Sequence, residues 1–383
     1  MSVSRLEGIP GFNIDRVAAA AGDDPDVLRM ENLDTDLRPP TVAIEATKAA
    51  IDTYDGNSWL PFTGRDDLKE AVASFIERRG GPRYDAQREI VITSGEGTAI
   101  LDALFCLTDP GDEVVLTDPT YAGMINRVRL VGAVPRLARL VVADGEWRLD
   151  LDALRASVTE RTRVIFIHSA SFPSGWVVSD EEWEAICALC RDHDLWLLYW
   201  GVYEGLLFDG RPMRLPSPID GMRNRTVTIG SGIERRMIGW RVGWIVAPGD
   251  LVNDVSRVAI YNDLVPSNFS QVGLRAALDE PDDRQAAHTA EYQRRRDETM
   301  RQLEGLPAIR AAGGWSLLLD VASLGLDCAE VSSKLLEHKV AATQMRGWGG
   351  EVADRHVRFV FSREPVERIA LLGERVRAAL GTA

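Results

Sequence analysis

Between Glu89 and Pro248 the chain alternates short β-branched apolar runs with segments of helical period, and this alternation restricts the possible folds more than any other feature. The runs are EIVITS, EVVLTDP, RVIFIHS, LWLLYW, RTVTIGS and RVGWIVAP. The segments between them include TAILDALFCL, YAGMINRVRLVG and DEEWEAICALCRDH. Strands that are apolar along their whole length need cover on both faces, and amphipathic helices between successive strands supply it. The pattern predicts an α/β domain built on a parallel sheet covered on both faces.

After Asn268 the texture changes to long charged helices, QVGLRAALDE and then AAHTAEYQRRRDETMRQLEGL, followed by short strands such as GWSLLLDV and HVRFVFS. This reads as a smaller α+β domain. The expected division is an N-terminal arm over residues 1–40 that packs with the small domain, a large domain over 41–270 and a small domain over 271–383. The run Arg294-Arg295-Arg296 is expected to be a solvated helix face, since no aromatic residue interleaves it as a nucleic-acid site would require.

A length of 383 residues accommodates two such domains, and the formal charge of −14 argues against nucleic acid or an anionic membrane as the main partner. No apolar run reaches the ~20 residues of a membrane helix, and the opening MSVSRLEGIPGFNIDR lacks the apolar stretch of a secretory signal. A cytoplasmic protein acting on a small molecule is the expectation. Cys106, Cys187, Cys190 and Cys328 lie in apolar segments and read as buried thiols; no metal site is expected.

The lysines carry more information. Lys48, Lys69, Lys334 and Lys339 are the only ones, every other basic side chain is arginine, and the long stretch from Lys69 to Lys334 holds none.

Six motifs in order give the chain a resemblance to the class I/II aminotransferases, the fold-type I family that uses pyridoxal phosphate (PLP). They are FTGRDDLKEAVASFI, DPGDEVVLTDPTY, FPSGWVVSDEEWEAI (family N-P-T-G), YWGVYEGLLFDG (family D-E-x-Y), MIGWRVGW (family G-W-R-x-G) and HVRFVFS. The resemblance runs from about Asp26 to the C-terminus. It implies a fold-type I subunit, and a homodimer with Trp59 at the position that reaches the partner subunit's site.

In that family a lysine holds PLP as a Schiff base, an aspartate pairs with the pyridine nitrogen, and phosphate donors and an aromatic ring fix the cofactor. Counted back from the Gly of G-W-R, the lysine position falls on Ile233, or on Glu234 with a loop one residue shorter. The aspartate position falls on Trp200 and the asparagine of N-P-T-G on Phe172, while Glu96 stands in the phosphate cup. The resemblance also implies retained groups: Tyr121 at the ring-stacking position, Tyr203 at the ring-hydroxyl position, Arg241 at the phosphate arginine and Arg358 at the substrate-carboxylate arginine.

Two guanidiniums facing one cleft suggest an anionic ligand, the alternative being arginines tied to Glu96, Glu234 or other neighbours. Trp59, Tyr121, Phe172 and Trp200, with Trp240 a further candidate, would line an aromatic pocket or simply fill a vacated one. His168, at the carboxyl end of RVIFIHS, is a candidate general base, with Glu96, Tyr203 and Glu234 as further acid–base candidates beside Glu204 and Arg235. The expectation from these substitutions is an enzyme that has left PLP chemistry and binds no cofactor. It would carry out lyase, cyclase or isomerase chemistry on a small carboxylate-bearing, amino-acid-like substrate. The alternatives are a lysine-independent aminotransferase using PLP or pyridoxamine phosphate, and a non-catalytic homologue that binds a ligand or a partner.

Overall fold

The computed structural model describes residues 6–11, 13–279 and 283–381. Residues 1–5 of the expected N-terminal arm therefore lie outside the described residues.

All six apolar runs form strands of one eight-stranded sheet. Its spatial order is Ile90–Thr93, Gly243–Val246, Thr226–Ser231, Trp196–Trp200, Thr162–His168, Glu113–Asp118, Val134–Ala143 and Glu146–Leu149. The pairings are parallel except those made by Gly243–Val246 and by Glu146–Leu149. Burial explains the lack of alternation in the sequence: every residue of Ile90–Thr93, Glu113–Asp118 and Gly243–Val246 is buried. Helices Glu96–Leu107, Ala122–Leu130 and Asp180–Asp192 supply the cover. The last is started by a capping box, in which the Ser179 hydroxyl accepts from Glu182 N–H and the Glu182 carboxylate accepts from Ser179 N–H.

A four-stranded antiparallel sheet follows, in the order Ala308–Ile309, Ser316–Asp320, His356–Val360 and Thr343–Gln344. The N-terminal segment joins this C-terminal part, because Leu28–Arg29 pairs in parallel with Val340–Ala341 and Val360 N–H donates to the Met30 carbonyl. The expected boundary at residue 270 falls inside the helix Asn268–Leu278, which packs on helices Thr41–Ile51 and Asp66–Arg78.

The arginine run differs from its expectation. Only Arg294 is solvated; Arg295 and Arg296 are buried within the helix Asp283–Gln302. Arg295 pairs with Asp36 at 2.7 Å and Glu291 at 2.8 Å, while Arg296 pairs with Asp209 at 2.8 Å, donates to the Ala311 carbonyl and lies over the Phe208 ring. Partners distant in sequence turn a polar-looking face into an internal one. Cys187, Cys190 and Cys328 are buried and Cys106 half-buried, and burial pushes the thiols of Cys187 and Cys106 up to about 11 and about 12.

Candidate active site

At the carboxyl ends of the central strands the side chains meet in an aromatic wall. Trp200 and His168, the last residues of their strands, stack with ring centroids 3.9 Å apart. Tyr121, just before the helix Ala122–Leu130, contacts Phe172 and Trp200, both at 5.7 Å, and Trp348 at 5.6 Å. Tyr203 lies 5.5 Å from His168 and 5.2 Å from Trp315.

Sequence reasoning missed Trp348. It sits in the loop GWGG ahead of the short helix Glu351–Asp354, and only tertiary contacts bring it to the wall. Asp118, at the end of its strand, accepts from Val352 and Ala353 N–H, and Thr120 N–H donates to the Trp348 carbonyl. The flanking glycines are the one sequence signal: a Cβ on Gly349 would stand 2.1 Å from an Asp118 oxygen.

Arg358 is the charged member of the wall and is fully buried. Its guanidinium lies 4.6 Å from the rings of both Phe172 and Trp348. Nη2 donates to the Glu31 carbonyl and to Thr343 Oγ1, whereas Nε and Nη1 have no hydrogen-bond partner among the described residues. Burial brings its pKa down to about 9. A guanidinium left with free donors in such surroundings favours an anion.

His168 does not stand as the expected general base. Its Nδ1 accepts the Phe172 N–H at 3.1 Å, so the neutral ring carries its proton on Nε2. Complete burial depresses its pKa to about 3, which makes it a poor proton acceptor at neutral pH. Tyr203 is also buried, and that burial pushes its phenol well above the usual range.

Of the remaining candidates, Glu96 lies close enough to the wall for its charge to act on Tyr121 and Tyr203. Arg241 is half-exposed, 3.9 Å from Glu96, the first residue of the helix Glu96–Leu107. Glu234 pairs with Arg79 at 2.7 Å and accepts from Gly205 N–H. With Tyr199, Glu204 and Arg235 it lines a small cavity on the other side of the strand Trp196–Trp200, where neighbouring side chains point oppositely. Burial, with Glu234 adding to it, raises Glu204 to about 8 despite Arg79 at 3.8 Å. Trp59 is 72 % exposed, with Phe62 as its ring neighbour. Trp240 donates to Thr47 Oγ1.

An open α/β sheet with its candidate site at the strands' carboxyl ends, and a smaller sheet supplying an arginine to that site, is the fold-type I arrangement. The sequence profile for aminotransferase class I and II matches residues 28–370, and the chain belongs to this family. It is 31 % identical over 371 residues to the arginine–pyruvate transaminase AruH of Pseudomonas aeruginosa, covering 93 % of this chain and 92 % of that one. It is 34 % identical over 359 residues to the probable N-succinyldiaminopimelate aminotransferase DapC of Mycobacterium tuberculosis, covering 86 % and 88 %. The solved structure of the N-succinyldiaminopimelate aminotransferase from Mycobacterium tuberculosis superposes with a TM-score of 0.91 at 30 % identity, over 100 % of both chains.

These relatives overturn the expectation of a cofactor-independent lyase, cyclase or isomerase, because they are named as transaminases. The expectation that the chain is PLP-independent and binds no cofactor falls with it. PLP is the cofactor to expect in this family, and the reading of a missing lysine is no ground for setting it aside.

Ile233 is a buried aliphatic side chain. Lys69 is buried elsewhere, bonded to Gln87 and Asp66, Lys48 pairs with Glu45, and Lys339 pairs with Asp24. Trp200, counted at the aspartate position, carries an indole N–H that can only donate. No helix among the described residues is long and apolar enough to cross a membrane.

Proposed function

We propose that the chain handles a small amino or 2-oxo acid by its carboxylate at Arg358, and that its use of the family's cofactor is lysine-independent. Pyridoxamine or pyridoxal phosphate would then be taken up free from solution rather than held on an amine. The observation that carries the reading is the buried Arg358 guanidinium with Nε and Nη1 unpartnered. Arginine–pyruvate and N-succinyldiaminopimelate in the relatives' names support the acid class, and Tyr121, Tyr203 and the solvent-reachable Arg241 are the retained groups that support a B6 phosphate.

When bound, the cofactor would supply the amino-group carrier. Arg358 would orient the acid, and the wall of Tyr121, Phe172, Trp200 and Trp348 would exclude water from it. The chain is also proposed to form a homodimer, the exposed Ile51, Tyr54, Trp59 and Tyr261 being apolar surface that needs cover.

The experiment is to add PLP or pyridoxamine phosphate, follow absorbance, reduce with borohydride and map peptides by mass. Cofactor that binds and dialyses away, with no pyridoxyl group on lysine, is the expected result; a stoichiometric adduct on any lysine contradicts it. One observation favours a second reading, a ligand-binding homologue without catalysis. Tyr121, Phe172, Trp200 and Trp348 touch one another, so a ring stacking on Tyr121 has to displace one of them. Failure of either B6 phosphate to bind would support that reading.

A further inference from the structure

The buried polar atoms left unpartnered along the aromatic wall share one character. Trp200 Nε1, Trp315 Nε1, His168 Nε2 and Arg358 Nε and Nη1 lack a hydrogen-bond partner among the described residues. An indole N–H and a guanidinium N–H can only donate. His168 joins them because its Nδ1 is taken by the Phe172 N–H, which leaves Nε2 as an N–H. Donors buried without acceptors are costly, and native interiors rarely keep several together unless something arrives to meet them.

Two parts of this set are tied together by one residue. The Phe172 ring lies 4.6 Å from the Arg358 guanidinium, and the Phe172 backbone N–H bonds His168, whose ring stacks on Trp200. Arg358 is a buried cation of this wall and Arg127 lies beside Tyr121, whereas the groups at the far end, His168 and Trp200, are neutral.

We infer that the His168–Trp200 end of the aromatic wall is a subsite for a hydrogen-bond acceptor carrying no proton, so that a ligand seated at Arg358 by one carboxylate is met at its other end by a second acceptor. This rests on the proposed function for the Arg358 end and extends it. A compact dicarboxylate or 2-oxo diacid has that form. A pyridine nitrogen without its proton is the other source of the same chemistry, and the two are separable by experiment. An ammonium group or a pyridinium is disfavoured there, since it would bring a further donor to donors.

The test uses the whole protein with its tryptophans labelled with nitrogen-15, so that each indole N–H gives a resonance and Trp200→Phe identifies the one from Trp200. Succinate, glutarate and 2-oxoglutarate are titrated against acetate and propionate as single-carboxylate controls, and pyridoxamine phosphate is titrated separately. The diacids are expected to move the Trp200 indole resonance downfield where the monoacids do not. Trp200→Phe is expected to weaken diacid binding about tenfold more than it weakens monoacid binding.

A shift given by pyridoxamine phosphate and not by diacids would keep the acceptor subsite and assign it to a pyridine nitrogen. A Trp200 resonance unmoved at saturating concentrations of every probe overturns the inference, and because it is read on the unsubstituted protein it does not depend on the variant folding. Arg358→Lys separates this failure from that of the function itself: loss of all acid binding in that variant, with Trp200 unmoved in the parent, refutes the subsite alone. Unchanged acid binding in Arg358→Lys refutes the Arg358 reading.

Discussion

His168 and Trp200 lie ring against ring, centroids 3.9 Å apart and planes within 28°, at adjacent strand ends that pair directly in the sheet. Burial keeps the histidine neutral, and the stack leaves it packed against Trp200 rather than poised to take a proton. Replacing His168 with glutamine keeps a donor but gives up the stack and its apolar cover. It should destabilise the protein by about 1–3 kcal/mol without introducing a pH dependence near neutrality, as thermal unfolding between pH 6 and 8 would show.

Stability should fall as pH rises through the window set by Glu204. Its carboxyl ionises at its ordinary 4.5 when unfolded and at about 8 when folded, so between these values the native state holds a proton that the unfolded state has released. Stability is therefore lost progressively from pH 4.5 to 8, by up to about 1.4 kcal/mol per pH unit. Asp102, raised by burial to about 6, adds the same sign over the lower part of the window. Chemical denaturation of Glu204→Gln should show a flatter profile above pH 6. An unchanged slope would rule Glu204 out as its source.

Arg79 holds the buried pair together, with Glu234 at 2.7 Å, Glu204 at 3.8 Å and the Phe75 ring at 4.0 Å. Arg79→Met leaves Glu234 buried beside Glu204 without that cation and should cost about 3–5 kcal/mol. Arg79→Met combined with Glu234→Gln should recover part of the loss, a double-mutant comparison readable by urea unfolding.

The exposed apolar surface at Tyr54, Trp59 and Tyr261 predicts self-association. Sedimentation should give a dimer at micromolar concentration, and Trp59→Glu with Tyr54→Asp should move it toward monomer with the fold intact by circular dichroism. A monomer in the parent protein would contradict the homodimer.

How much the sequence disclosed depends on the range of the interactions. The strands were legible because burial on both faces leaves an unbroken apolar run, as in residues 164–167. Arg295 and Arg296 were not, since Asp36 and Asp209, which bury them, come from distant segments. Trp348 was hidden for the same reason, its loop being held by Asp118. At the site, Tyr121, Phe172, Trp200, Tyr203 and Arg358 come together as the motif order implied, whereas Glu234 faces Arg79 behind the strand. The inference from altered motif residues to a changed reaction was the weakest step, and the transaminase relatives overturn it.

The account turns on Arg358 as the group that receives a carboxylate. Calorimetric titration of the parent protein and of Arg358→Lys with 2-oxoglutarate tests this directly. Lysine keeps the charge but loses the planar fork with its two free donors, and binding should weaken by about 1.5–3 kcal/mol. Stability without ligand should fall by only about 1 kcal/mol, through the contacts to the Glu31 carbonyl and Thr343. Equal affinity in the two proteins, with a lowered melting temperature in the variant, would show Arg358 to be a structural residue and contradict the account.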